Sequence, residues 1–177
     1  MAAPHPADAF AGRRFDALLF DLDGTLIDSR VAVEGAWRRW AREEHVEIAV
    51  LEGSHGMPAA EIVARLLPAE RLPEAIERIL AYEESQTEGI FARPGSAAAL
   101  AALPADRVAL VTSSTRLLAR VRGAAAGLTL PAVKITIDDV ARGKPAPDPF
   151  LAGARALGLD PARCHAVEDA PAGLTAA

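Results

Sequence analysis

The sequence has very little cysteine and lysine. Its single cysteine, Cys164, excludes an internal disulfide and fits a reducing cytoplasm. Flanked by apolar residues, Cys164 reads as a small buried hydrophobe rather than a nucleophile. No apolar run approaches the roughly 20 residues that a membrane helix requires. The start of the chain lacks the basic segment and apolar core of a signal peptide. Residues 1–12, rich in alanine and proline, read as a disordered tail. A formal net charge of −5 offers no basic surface for nucleic acid or an anionic membrane. Lys134 and Lys144 are the only lysines among many arginines, which makes each of them conspicuous. What is present, 51% hydrophobic and 24% charged over 177 residues, suffices for one domain with a substantial core.

The organising stretch is Phe20-Asp21-Leu22-Asp23-Gly24-Thr25-Leu26. The apolar run Ala17-Leu18-Leu19-Phe20 leads into it, as a buried parallel strand leads into a loop. Side chains two apart on a strand share a side, so Asp21 and Asp23 project together. Two carboxylates side by side are costly unless something positive sits between them. Gly24 permits a turn that a side chain would hinder.

Further along, Asp28 or Ser29 can cap a helix over Val31 to His45, with Val33, Ala36, Trp37, Trp40 and Ala41 on one face. Leu51 to Pro58 is a loop, and further helices are expected over Ala59 to Leu67 and Pro73 to Thr87. Residues 29–88 contain no convincing strand, and Ile90 to Gly95 reads as a hinge. Strands then alternate with helices: Arg107 to Val111 ending in Thr112, Val133 to Ile137 ending in Asp138-Asp139, and His165 to Val167 ending in Glu168-Asp169. This order predicts an α/β fold with a doubly wound parallel sheet. The expected boundaries are 13–27 and 93–177 for the core and 28–92 for a helical insert. In such sheets ligands bind beyond the carboxyl ends of the strands. Asp21, Asp23, Thr112, Glu168 and Asp169 all fall there, and Lys144 lies in a proline-stiffened loop that could reach the same edge.

Four carboxylates converging with one lysine call for a divalent cation, and an all-oxygen set points to Mg2+. One aspartate would then be free to attack phosphorus, and a second could protonate the leaving oxygen and later deprotonate water. Thr112 can donate to a phosphate oxygen, and Lys144 can offset developing negative charge.

At this point the sequence resembles the haloacid dehalogenase (HAD)-like hydrolases, from about Phe15 to the last residue. The likeness rests on Asp21-Leu22-Asp23-Gly24-Thr25-Leu26, on Thr112 after a strand, on Gly143-Lys144-Pro145-Ala146-Pro147-Asp148, and on Glu168-Asp169-Ala170-Pro171-Ala172-Gly173. The resemblance implies that Asp21 is the nucleophile and a metal ligand. It makes Asp23 the acid/base, with its main-chain carbonyl on the metal. It makes Thr112 and Lys144 phosphate-holding residues, and Asp169 and Glu168 the remaining acidic members of the metal site. Ser113, His55 and Gly24 become candidate substrate contacts, and residues 28–92 become the helical cap of the family's first cap class. Asp23 is an acid where true dehalogenases have none. Val33 occupies the place of a histidine used by β-phosphoglucomutases, and residues 28–92 lack the lysine of phosphonatases.

The pattern is most similar to the hexitol-phosphatase, 2-deoxyglucose-6-phosphatase and glycerol-phosphatase group, although Met57-Pro58 stands where a basic residue often follows the His-Gly pair. Relatives of this kind continue with one more βα unit, which is expected to be missing here. The expectation is a cytoplasmic Mg2+-dependent phosphatase for a small sugar or polyol phosphate. It should be a monomer, with a weak dimer as the alternative, and should have no nucleic-acid or membrane partner. The rival readings are a catalytically silent or truncated HAD-like binding module and a sugar phosphotransferase or phosphoglucomutase-like enzyme.

Overall fold

The computed structural model describes residues 14–47 and 56–177. The expectations for the tail, for the first part of the 51–58 loop and for His55 lie outside the described residues. A four-stranded parallel sheet forms the centre, from β1 (Ala17–Phe20), β4 (Val108–Val111), β5 (Val133–Ile135) and β6 (Cys164–Val167), in the order β5-β4-β1-β6. Successive crossovers move from β1 through β4 to β5, and the chain then returns to the far side of β1. The strand order therefore reverses at β1, where such sheets open a crevice at their carboxyl edge. The strands are apolar because helices cover both faces. α4 (Ser96–Ala102) and α5 (Arg116–Ala125) flank β4, while α6 (Asp148–Ala156) and α7 (Pro171–Ala176) flank β6. One face buries Phe20, Leu110, Ala119 and Leu128, and the other buries Leu19, Val111, Ile135 and Phe150. Each fully buried Leu or Ile contributes about 1.5–3 kcal/mol relative to an exposed one.

A helical module separates β1 from the rest of the sheet. It contains α1 (Arg30–Glu44), α2 (Ala59–Leu66) and α3 (Leu72–Ser85), which bury Trp37, Trp40, Val63, Ala75 and Ile79 against one another. Trp40 is fully buried, donates its indole N–H to the Ala75 carbonyl at 2.9 Å and meets Trp37 edge-on with ring centroids 5.3 Å apart. Glu34 and Arg38, four residues apart, pair at 2.9 Å on the exposed face of α1.

Three local expectations are corrected. Ile90 to Gly95 does not act only as a hinge: β3 (Phe91–Ala92) pairs antiparallel with β2 (Ile27–Asp28), a two-strand tie at the root of the helical module. Two-residue strands are too short to leave a periodic signature. Of the two cap candidates, Asp28 accepts from the Arg30 amide at 3.2 Å, whereas Ser29 makes no capping bond because its hydroxyl donates to Asp23 instead. Cys164 is half-buried rather than buried, since β6 is an edge strand.

Candidate active site

The strand ends bring the candidate residues together. Asp21 follows β1, Thr112 follows β4, and Glu168 and Asp169 follow β6, so three neighbouring strands deliver polar side chains to one edge. Lys144 comes from the loop before α6 and is almost fully buried. Its ammonium group donates to Asp21 Oδ1 at 2.7 Å, Glu168 Oε2 at 2.7 Å and the Val111 carbonyl at 2.9 Å. An ammonium group has three protons, and all three are used. The lysine is thus locked between two carboxylates and a strand end.

Burial above all, opposed by Lys144 and aided by Glu168 and Asp23, raises the Asp21 carboxyl to about 7. The Lys144 ammonium is raised above its ordinary range: desolvation opposes its charge, but Asp21 and Glu168 outweigh that. One carboxylate oxygen from each of Asp21, Glu168 and Asp169 lies within 4.8 Å of the others. Asp169 is exposed, and its Oδ1 accepts from the Thr25 hydroxyl at 3.0 Å. Gly24 is needed here for two reasons. Its φ is +93°, and a Cβ would stand 2.1 Å from Asp169 Oδ2. Gly173 makes similar room, since its Cβ would meet Glu168 Oε2 at 1.9 Å.

Asp23 stands apart from that carboxylate cluster. Its Oδ1 accepts from Ser29 at 2.6 Å, and its Oδ2 accepts from Ser114 at 3.1 Å and lies 2.9 Å from the Arg122 guanidinium. Its side chain is therefore separate from the three grouped carboxylates, which leaves the expected main-chain contact of Asp23 with a metal untouched. A neighbourhood of hydroxyls and a guanidinium holds it on the side facing α5. Sequence reasoning missed Ser29, Ser114 and Arg122. The available signal was two charges of opposite sign, Glu83 and Arg122, on the apolar faces of two helices.

Thr112 is buried, and its hydroxyl oxygen accepts from the Ser114 amide at 3.1 Å, leaving the hydroxyl proton to donate. Ser113, expected to contact substrate, donates its hydroxyl to the Gly56 carbonyl at 2.7 Å, joining the strand-end loop to the helical module. Of the four hydroxyl residues after β4, Thr112 to Thr115, Thr115 is the one that caps α5, accepting from the Leu118 amide at 3.2 Å. Asp138 and Asp139 stay out of the carboxylate cluster: Asp139 caps a helical turn through Thr136, and Asp138 accepts from the Arg116 amide at 2.8 Å.

A sequence profile of the haloacid dehalogenase-like hydrolases matches residues 15–177. The chain belongs to this family. It is 42% identical over 167 residues to hexitol phosphatase A of Escherichia coli (strain K12), covering 91% of this chain and 77% of that one. It is 34% identical over 180 residues to glycerol-1-phosphate phosphohydrolase 2 of Saccharomyces cerevisiae, covering 92% and 70%. A crystal structure of a hydrolase from Pseudomonas syringae superposes with a TM-score of 0.82 at 26% identity, over 91% of this chain and 79% of that chain. The HAD-like hydrolase therefore carries the parallel-sheet core that the strand pattern implied. Among its described residues no helix is long and apolar enough to cross a membrane.

Proposed function

We propose that this HAD-like hydrolase cleaves the phosphate monoester of a small sugar or polyol, by phosphoryl transfer to Asp21 and then to water, with Mg2+ as cofactor. The observation that carries the reading is Lys144 held 2.7 Å from both Asp21 and Glu168 at the strand edge, with Asp169 beside them. The relatives named hexitol phosphatase and glycerol-1-phosphate phosphohydrolase favour a small polyhydroxylated ester.

The residues fit a hard divalent cation. The donor set is all oxygen, and an acid held near 7 beside further carboxylates sits in a field that such a cation would relieve. Asp21 and Asp169 would hold it, with Glu168 alongside. When bound, the cation would neutralise phosphate oxygens and let a carboxylate approach phosphorus.

The rest follows from the chain's own side chains. Lys144 occupies Asp21 Oδ1 and leaves Oδ2 to attack. As the Asp21–phosphorus bond forms, the ester P–O bond breaks, and Asp23 gives its proton to the leaving alkoxide. Water then attacks phosphorus, its proton passes to Asp23, and the Asp21 carboxylate is released with inorganic phosphate. Lys144 and the Thr112 hydroxyl face the charge on the phosphoryl oxygens. The helical module would act as the cap. It touches the strand-end loops through Ser113–Gly56 and, at Gly143, so closely that a Cβ there would lie 2.5 Å from Pro58. A seated cap excludes water from the reacting centre.

The test is phosphate release from a panel of sugar, polyol and nucleotide monoesters with Mg2+ present. Turnover of the small sugar or polyol esters is expected, lost with EDTA or in Asp21→Asn. Folded protein that releases no phosphate from any ester would overturn the reading.

A further inference from the structure

Arg122 lies on α5, away from the strand ends, yet it is among the most buried charged residues in the described chain. Its Nη1 is 2.9 Å from Asp23 Oδ2 and donates to the Ser114 hydroxyl at 3.2 Å, while its Nη2 donates to Glu83 Oε1 at 2.9 Å. Glu83 belongs to α3 of the helical module. One planar guanidinium therefore bridges the acid/base carboxylate of the core and a buried carboxylate of the cap. Buried ion pairs of this kind are weak contributors to stability, since well-packed apolar residues often do as well or better. A purely stabilising role does not account for the arrangement.

The geometry around Asp23 does account for it. A carboxylate offers about four acceptor sites. Here three donors occupy most of them: Ser29 on Oδ1, and Ser114 and Arg122 on Oδ2. They come from three different places in the fold, the start of α1, the loop after β4 and the middle of α5. The plane and the rotation of the carboxylate are fixed by them jointly, and a proton exchanged with substrate has a defined place left to sit. Ser114 is itself held by Arg122, so the arginine supplies one of the three donors and orients a second. Its second arm depends on α3 being seated, which links the aim of Asp23 to the position of the cap.

We propose that Arg122 is a positioning residue: it aims the Asp23 carboxylate at the leaving-group oxygen and, through Glu83, makes that aim depend on a seated cap. The proposal rests on the phosphatase reading above, because it assigns Asp23 a leaving group to protonate. Arg122 itself touches no reacting atom.

The test compares kcat/KM for two monoesters in the same protein sample. Glycerol phosphate leaves as an alkoxide that needs a proton, whereas 2,4-dinitrophenyl phosphate leaves as a stable phenolate that needs none. This parameter reports steps only through transfer to the enzyme, and the ratio of the two values is independent of the fraction of active protein. In Arg122→Met the glycerol phosphate value is expected to fall about 10²-fold more than the aryl value, the scale of a lost or misplaced general acid. Arg122→Lys keeps the charge but lacks the fork that reaches both carboxylates, and it should show the same bias in weaker form. Glu83→Gln should show a smaller bias, measured with the arginine intact. Equal losses on both esters in the variants that fold, or no loss on either, would overturn the proposal while leaving the phosphatase reading standing. Wild-type protein inactive on both esters would overturn the phosphatase reading and the proposal with it.

Discussion

Replacing Lys144 by methionine separates the electrostatics of the site from its packing. Methionine fills much of the same volume but removes three hydrogen bonds and the only positive charge between Asp21 and Glu168. The Glu168 side chain is 1% exposed, so its carboxylate is left uncompensated out of water. Removing one partner of a buried ion pair costs about 3–5 kcal/mol. For a chain of this size, each kcal/mol moves Tm by about 2–4 °C, so the expected drop is roughly 6–20 °C near neutral pH and above.

The pH dependence has a definite sign. Asp21 in the folded protein is already raised from 3.8 to about 7, so its folded state binds a proton more tightly than its unfolded state. Stability from this group is therefore fully present below 3.8 and is lost as pH rises through about 7. Without Lys144 the influences that remain on Asp21, burial and the neighbouring carboxylates, all push it higher. The deficit of Lys144→Met relative to wild type should thus be large at pH 8 and shrink toward pH 5, where protonation replaces the missing cation. Thermal unfolding by circular dichroism at both pH values reads this directly. A variant that melts with the wild type at pH 8, or a deficit that grows as pH falls, would refute the reasoning.

Three further outcomes are expected. Gly24→Ala places a Cβ 2.1 Å from Asp169 Oδ2 and forces alanine to φ +93°. It should cost about 1–2 kcal/mol of stability from the backbone and a larger share of Mg2+ affinity, read by calorimetric titration. Mg2+ needs a deprotonated Asp21, so its binding should release protons and tighten as pH rises through about 7, measured by titration in buffers of different ionisation enthalpy. Trp40→Ala empties a fully buried site and removes the indole hydrogen bond to the Ala75 carbonyl; a loss of about 3–5 kcal/mol is expected in urea unfolding.

The sheet and its polar edge were legible because they rest on local patterns. Each apolar run ended in a polar residue, and parallel topology collects strand ends, so Asp21, Thr112, Glu168 and Lys144 could be placed before any coordinates. The surroundings of Asp23 were not legible in the same way. Arg122 and Glu83 fall on the apolar faces of their helices, a placement that hints at burial but names no partner. Their pairing follows from how α3 docks on α5, a tertiary relation with no local signature. Ser29 was expected as a helix cap because serine before a helix commonly caps it. The carboxylate of Asp23, brought near by the turn at Gly24, competes for its hydroxyl and wins. The β2–β3 tie was hidden by its length of two residues per strand.

The central claim is that Asp21 carries the phosphoryl group between ester and water. Acid quenching during turnover, followed by mass analysis of the peptides, tests it most directly. One phosphoryl group is predicted on the peptide containing Asp21, dependent on Mg2+ and absent from Asp21→Asn. Steady phosphate release with no label on that peptide at any quench time, or undiminished release by Asp21→Asn, would contradict the account.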